Sequence, residues 1–204
     1  MDQAPRAKLQ KALANLGYGS RRALEKEIQQ GTIAINHKTA QIGDSVVHGD
    51  IVQYQGQNIP IDLERSVPMH VLMYHKPEGE ICSSSDPQGR VSVFTKLPPC
   101  PEGKWIMVGR LDYQTAGLLL FTNHGQLAHK LMHPSSNILR TYKVRVYGNI
   151  DQSITQELQE GIMLDGKKAK FETIKALPRS GANSWFVVQL SEGRNREVRR
   201  LFEH

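Results

Sequence analysis

Apolar residues in this chain come only in short runs, and that feature bounds the fold more than any other. The longest runs, such as Gly117–Phe121, are far too short to cross a bilayer. Glycine, proline or a polar turn cuts each one off, so the core must be assembled from many short elements. The chain has 204 residues, enough to bury a real core in one or two domains without disulfides or metal. Hydrophobic residues at 39% and charged residues at 23% exclude long-range disorder. Cys82 and Cys100 stand alone, in no CxxC pair and near no histidine cluster. That argues against a disulfide scaffold and a structural zinc, and it fits reduced thiols in a cytoplasm. The start, MDQAPRAKLQKAL, has no apolar core followed by a small-residue cleavage site, so no signal peptide is expected.

The first part of the chain reads as a small self-contained module. Leu9, Leu13 and Leu16 are spaced as one face of a helix, which Gly17-Tyr18-Gly19 stops. Ser20 can cap a second helix that points Leu24 and Ile28 inward and ends at Gly31. Short strand-like runs follow at Thr32–Asn36, Val46–Val47 and Ile51–Tyr54, separated by turn residues. Residues 62–69, with Pro68 and no period, read as a linker. Beyond it, His70–His75, Trp105–Val108, Leu118–Phe121, Thr141–Tyr147, Phe171–Leu177 and Trp185–Leu190 read as strands. Gly125–Met132, Asp151–Glu160 and Arg194–Phe202 read as helices. The fold class is therefore α+β: two helices and a small sheet over residues 1–66, then a mixed, mainly antiparallel-sheet domain over 67–204.

The net charge is +6, which hints at a polyanionic partner. Its distribution says more. Between Glu102 and Asp151 the one acid is Asp112, among Lys104, Arg110, Lys130, Arg140, Lys143 and Arg145. Asp112 lies in a loop with glycine at both ends, Gly109 and Gly117, between two strand-like runs. Loops held by rigid strands are common places for reactive groups. Read locally, Asp112 could equally pair with Arg110, and Thr115 could serve backbone groups.

Longer patterns decide between these readings. The run from Lys8 through Val52 resembles the S4 RNA-binding domain, with Gly-x-x-Ser-Arg-Arg between its helices, Gly-Thr-Ile-x-Ile-Asn after them, and a later Gly-Asp. That resemblance makes Lys11, Arg21, Arg22 and Lys26 an RNA-binding surface rather than a merely solvated face. The twelve residues Gly109–Leu120 resemble the active-site motif of the pseudouridine synthases, in the branch that modifies ribosomal RNA and carries an N-terminal S4 domain. Arg140–Val144 resembles that family's tyrosine motif, and Glu192–Arg200 its basic C-terminal motif. Lys76-Pro77-Glu78-Gly79 matches the start of its catalytic domain.

The resemblance implies site-specific conversion of uridine to pseudouridine in ribosomal RNA. That reaction breaks the bond from ribose to N1, turns the uracil and rejoins it through C5. It is an isomerisation, so neither metal nor cofactor is expected. The family's essential carboxylate maps onto Asp112, which would attack C1′ or remove a sugar proton. A carboxylate closed off from water needs a cation to stay ionised, and by motif position that cation is Arg199. Tyr142 maps onto the uracil-stacking tyrosine. Arg110 would hold the strand from which the target is flipped. Arg194, Arg196 and Arg200 would contact RNA. On a helix running from Arg194, Arg196 and Arg199 share a face while Arg200 is turned about 100° away. Glu197, where many relatives have Gln, points to the branch that acts on a large-subunit (23S) rRNA hairpin. The expected partner is therefore ribosomal RNA, with no membrane and no small-molecule cofactor, and the expected state is a monomer.

Other features carry less. His129 and His133 are spaced i, i+4, which can bind metal, but no third ligand is near. Lys167–Lys170 follows an Asp165-Gly166 turn and reads as a solvated hairpin tip. His124 stands where the family usually has Asp, at an expected helix start. The family's catalytic domain continues past the basic motif, so a fragment or an omitted tail is expected. The leading rival is a non-catalytic RNA-binding or ribosome-assembly protein, against which Asp112 and Tyr142 argue. A metal-dependent nuclease would need clustered carboxylates, which residues 103–150 lack.

Overall fold

Leu9 and Leu13, four residues apart, are fully buried in the computed structural model, which describes residues 5–204. The first four residues, part of the stretch read for a signal peptide, lie outside it. A strand β1 (Arg6–Lys8) leads into α1 (Leu9–Asn15), then α2 (Arg21–Gln29). Lys8 ends β1, and its ammonium donates to the Gly43 carbonyl at 2.6 Å. Leu16 falls just past the end of α1 and is 39% exposed, so the third expected core leucine is not one. Gly17 turns the chain at φ 91°, a conformation that favours glycine. Ser20 caps α2 by accepting the Ala23 N–H, and Leu24 and Ile28 face inward.

Strands β2 (Ala34–Ile35), β3 (Lys38–Thr39), β4 (Ser45–Val47), β5 (Ile51–Tyr54) and β6 (Gln57–Pro60) follow. The run expected as one strand over Thr32–Asn36 shrinks to two residues, because Asn36 and His37 take positive φ and turn the chain into β3. An antiparallel sheet in the order β3-β2-β5-β6 and a β1-β4 pair enclose a core of Leu9, Leu13, Leu24, Ile28, Ile33 and Val52. Burying each such side chain is worth roughly 1.5–3 kcal/mol.

Past the 62–69 segment come β7 (Val71–Lys76), a 3-10 turn (Val93–Lys96), β8 (Ile106–Val108), β9 (Gly117–Thr122) and α3 (Gly125–Met132). The sheet β7-β9-β8 is antiparallel, and Val93, Leu119 and Phe121 form its core. Then follow β10 (Arg140–Tyr147), α4 (Gln152–Glu160), β11 (Ile162–Leu164), β12 (Lys167–Ala169), β13 (Thr173–Ser180), β14 (Asn183–Leu190) and α5 (Glu197–Glu203). The chain divides between His129 and Lys130, inside α3, into two compact units. In the second unit, β10-β14-β13 is antiparallel and its inner face packs on Leu158, Phe171, Leu201 and Phe202. The β11-β12 hairpin turns through Asp165 and Gly166, both at positive φ, as a two-residue loop demands. The strand expected from Phe171 begins two residues later, because Phe171 is a buried core residue whose N–H bonds to the Leu158 carbonyl.

Candidate active-site loop and basic motif

The loop bearing Asp112 runs from β8 to β9, and antiparallel pairing of both strands fixes its two ends. Gly109 leaves β8 at φ 79° and Gly117 starts β9 at φ 144°. Between them the Thr115 N–H bonds to the Asp112 carbonyl at 3.0 Å, closing a tight turn. Leu111 packs on the core beneath and its N–H donates to Cys82 Sγ at 3.4 Å. Burial pushes the Cys82 thiol up, only partly offset by that hydrogen bond and by nearby Lys76. The Gly79 N–H donates to the Tyr113 carbonyl at 2.9 Å. Arg90, held by Asp86, lies 5.8 Å from the Tyr113 ring centre. Asp112 itself is half-buried, and Arg110 is exposed.

Lys76 is the residue that sequence reasoning missed. It is fully buried, and its ammonium donates to the carbonyls of Thr115 at 2.8 Å, Pro77 at 2.9 Å and Tyr113 at 3.4 Å. A buried charge is costly unless well hydrogen-bonded, and here two of its three partners are carbonyls of the Asp112 loop. The signal was present: Leu72, Tyr74 and Lys76 alternate along one face of β7, and β7 shows that alternation in its burial.

Tyr142, Arg194, Arg196, Arg199 and Arg200 belong to the second unit. Tyr142 sits half-buried on the core side of β10, opposite Val188. The helix expected from Arg194 begins instead at Glu197, so Arg196 and Arg199 do not share a helical face. Arg196 is the N-cap at φ 52°, where the chain turns before the helix. The reason is Glu197, which is 5% exposed and reaches back to accept the Arg194 N–H at 2.9 Å. Arg194, Arg196 and Arg200 each donate to groups within the chain. Arg194 donates to Glu192 and to the Lys168 carbonyl, Arg196 to Glu203 at 3.3 Å, and Arg200 to Asp165 at 2.8 Å. Arg200 and its hydrogen bond hold the Asp165 carboxyl below its usual range. Arg199 is half-buried on α5.

In the first unit, Arg21, Arg22 and Lys26 are exposed on α2, and Lys11 is half-buried on α1. Arg21 and Arg22 occupy the first turn of α2, which holds no acid. Cations are disfavoured there by the helix dipole. His124 caps α3, its Nδ1 accepting the Leu127 N–H at 3.2 Å. His133 likewise caps a short 3-10 turn through Ser135. Among the described residues no three His, Cys, Asp or Glu side chains group as metal ligands, and no helix is long and apolar enough to cross a membrane.

The fold is that of a small α+β module followed by antiparallel sheets, with Asp112 on the loop between the paired strands β8 and β9. The family model for RNA pseudouridylate synthase matches residues 70–204, and that for the S4 domain matches residues 8–52. The chain belongs to the RNA pseudouridylate synthase family. Among its relatives is the ribosomal large subunit pseudouridine synthase B of Haemophilus influenzae, 48% identical over 96% of this chain and 56% of that protein. The proteins of the same name from Salmonella typhi and Escherichia coli K12 are 47% and 46% identical, each over 96% of this chain and 68% of theirs. The chain thus spans about half to two thirds of the length of these relatives. A solved pseudouridylate synthase structure superposes with a TM-score of 0.59 at 26% identity, over 96% of this chain and 82% of that one.

Proposed function

We propose that this chain isomerises uridine to pseudouridine in ribosomal RNA, at a hairpin of the large-subunit (23S) RNA. The observation that carries the reading is the clamped loop: a half-buried carboxylate, Asp112, in a loop whose Tyr113 and Thr115 carbonyls a buried lysine holds. Rigid positioning is what a single-carboxylate mechanism needs, since a nucleophile or base must meet its atom within hydrogen-bond reach. Asp112 either attacks C1′ or takes a sugar proton. The N1–C1′ bond breaks, the uracil turns, a C5–C1′ bond forms, and the C5 proton is lost as N1 gains one. No group is consumed and no electron is transferred, so the reaction itself calls for no cofactor.

In this reading residues 1–66 anchor the RNA and residues 67–204 carry the chemistry. Tyr142 stacks on the uracil, Arg199 pairs with Asp112, and Arg110 holds the strand from which the base is flipped. Lys11, Arg21, Arg22 and Lys26 take backbone phosphates. The two arginines in the first turn of α2 support this, because an anion there relieves their repulsion from the helix dipole. Arg194, Arg196 and Arg200 contact RNA by exchanging carboxylate partners for phosphates. The enzyme works as a monomer in the cytoplasm. Asp112→Asn tests the reading. Pseudouridine formation in a 23S hairpin transcript should vanish while affinity for that transcript stays within about twofold. Wild-type turnover in this variant would remove Asp112 from the chemistry.

A further inference from the structure

The outer face of the β10-β14-β13 sheet is acid-free and cationic. None of the 24 residues in these three strands is Asp or Glu. Burial alternates along β10, so Thr141, Lys143, Arg145 and Tyr147 face outward while Tyr142, Val144 and Val146 face the core. Register extends that outer face sideways. Lys143 pairs with Val187, which pairs with Lys175, and Arg145 pairs with Trp185. Lys143, Arg145 and Lys175 are all exposed. The Lys143 ammonium stands 4.9 Å from the centre of the Trp185 ring, which holds the charge in place on the sheet. At the end of the strand Tyr147 is 84% exposed, an unusual position for a large aromatic ring.

We infer that this face is a docking surface for a single-stranded stretch of the RNA substrate. The inference rests on the proposed action on RNA and adds a second contact surface to it. Charge complementarity chooses the occupant: three cations on strands that hold no Asp or Glu fit a polyanion and repel a basic protein face. Geometry narrows it further. Alternate residues of a strand lie about 6.6 Å apart, so Lys143 and Arg145 can meet successive phosphates of one strand. Tyr147 then offers its ring to an unpaired base. A sheet that combines basic side chains with an exposed aromatic is a common platform for unpaired nucleotides, and a duplex hides its bases from it.

The test uses the whole chain and a 23S hairpin transcript made with and without a single-stranded extension. In Lys143→Gln/Arg145→Gln/Lys175→Gln, the slope of log affinity against log salt should fall by about two units for the extended transcript. Tyr147→Ala should weaken that complex about fivefold or more. Neither variant should change the single-turnover rate at saturating RNA. Lys143→Arg/Arg145→Lys, which keeps the charges, should bind as the wild type does. Variants that match the wild type in affinity and slope overturn the docking surface alone. A wild-type chain that neither binds nor converts the hairpin overturns the proposed function itself, and this surface with it. A wild type that self-associates, with Tyr147→Ala abolishing the association, makes the face a contact between copies and overturns the RNA assignment.

Discussion

The Lys76 ammonium group, with no exposed surface, donates to the Thr115 carbonyl oxygen at 2.8 Å. Lys76 ends β7 and Thr115 lies three residues past Asp112, so the bond ties the sheet to the loop that presents the carboxylate. The same ammonium also reaches the carbonyls of Pro77 and Tyr113. A methionine of similar length fills the space but donates nothing, and the loop carbonyls are left buried. Lys76→Met should therefore cost about 1–3 kcal/mol in urea unfolding. It should also lower the single-turnover rate at saturating RNA while leaving RNA affinity nearly unchanged. A fully stable and fully active variant would show that the clamp has no bearing on Asp112.

Glu197 closes the first turn of α5 from inside the second unit. Its carboxylate accepts the Arg194 N–H at 2.9 Å and lies 3.8 Å from the Arg194 guanidinium. Glu197→Ala leaves that amide without its acceptor and should cost about 1–3 kcal/mol in chemical denaturation. Glu197→Gln keeps an acceptor oxygen of the same reach and should lose much less. Equal losses in the two variants would mean that the charge, not the hydrogen bond to the turn, carries the effect.

Tyr74 gives a pH signature. Burial, then the hydrogen bond and negative charge of Glu80, push its phenol up to about 12. The phenol donates to Glu80 at 2.7 Å. An acid whose folded pKa is raised favours the fold while it is neutral, so its contribution is complete below its unfolded pKa of about 10. That contribution is lost as pH rises through 10 to about 12. In a spectrophotometric titration of the six tyrosines, Tyr74 should ionise late. Tyr74→Phe should remove that late step and flatten the decline in stability over the same alkaline window. A late step that persists in Tyr74→Phe would assign it to another tyrosine.

Arg199 and Arg200 are adjacent and half-buried on α5. Arg200 donates to Asp165 at 2.8 Å, an ion pair with an exposed carboxylate. Surface pairs of this kind contribute about 0–1 kcal/mol, so Arg200→Ala should barely change stability. It should weaken RNA binding in a way that added salt mimics. Arg199→Ala should instead lower the single-turnover rate at saturating RNA. Matching behaviour of the two variants would show that the basic motif is misregistered against the family's pattern.

Much of this protein follows from local pattern. The spacing of Leu9 and Leu13, the Ser20 cap, the Asp165-Gly166 turn and the alternation of β10 are effects of neighbours along the chain, which a period or a turn residue reveals. Asp112 stood out because it is one acid in a long basic stretch. Arg196 shows where such reasoning stops. A run of polar residues ahead of Val198 and Leu201 is compatible with helix, yet the helix starts only at Glu197, where a buried carboxylate turns back on Arg194. Helix propensity is weak there, and burial of one side chain outweighs it.

The sequence by itself determined the succession of an S4 domain and a pseudouridylate synthase domain, the α+β class, the family and the loop on which the carboxylate stands, because each is written in local spacing or in residues adjacent in the chain. Only the tertiary structure decided that Lys76 lies beneath that loop, since the residues it joins are 39 apart and meet through the β7-β9 pairing. The acid-free outer face of the β10-β14-β13 sheet likewise arises from three strands whose register, not their sequence order, sets Arg145 beside Trp185 and Val187 between two lysines. Side chains distant in the chain become neighbours only when hydrogen-bonded pairing fixes which residues stand opposite one another.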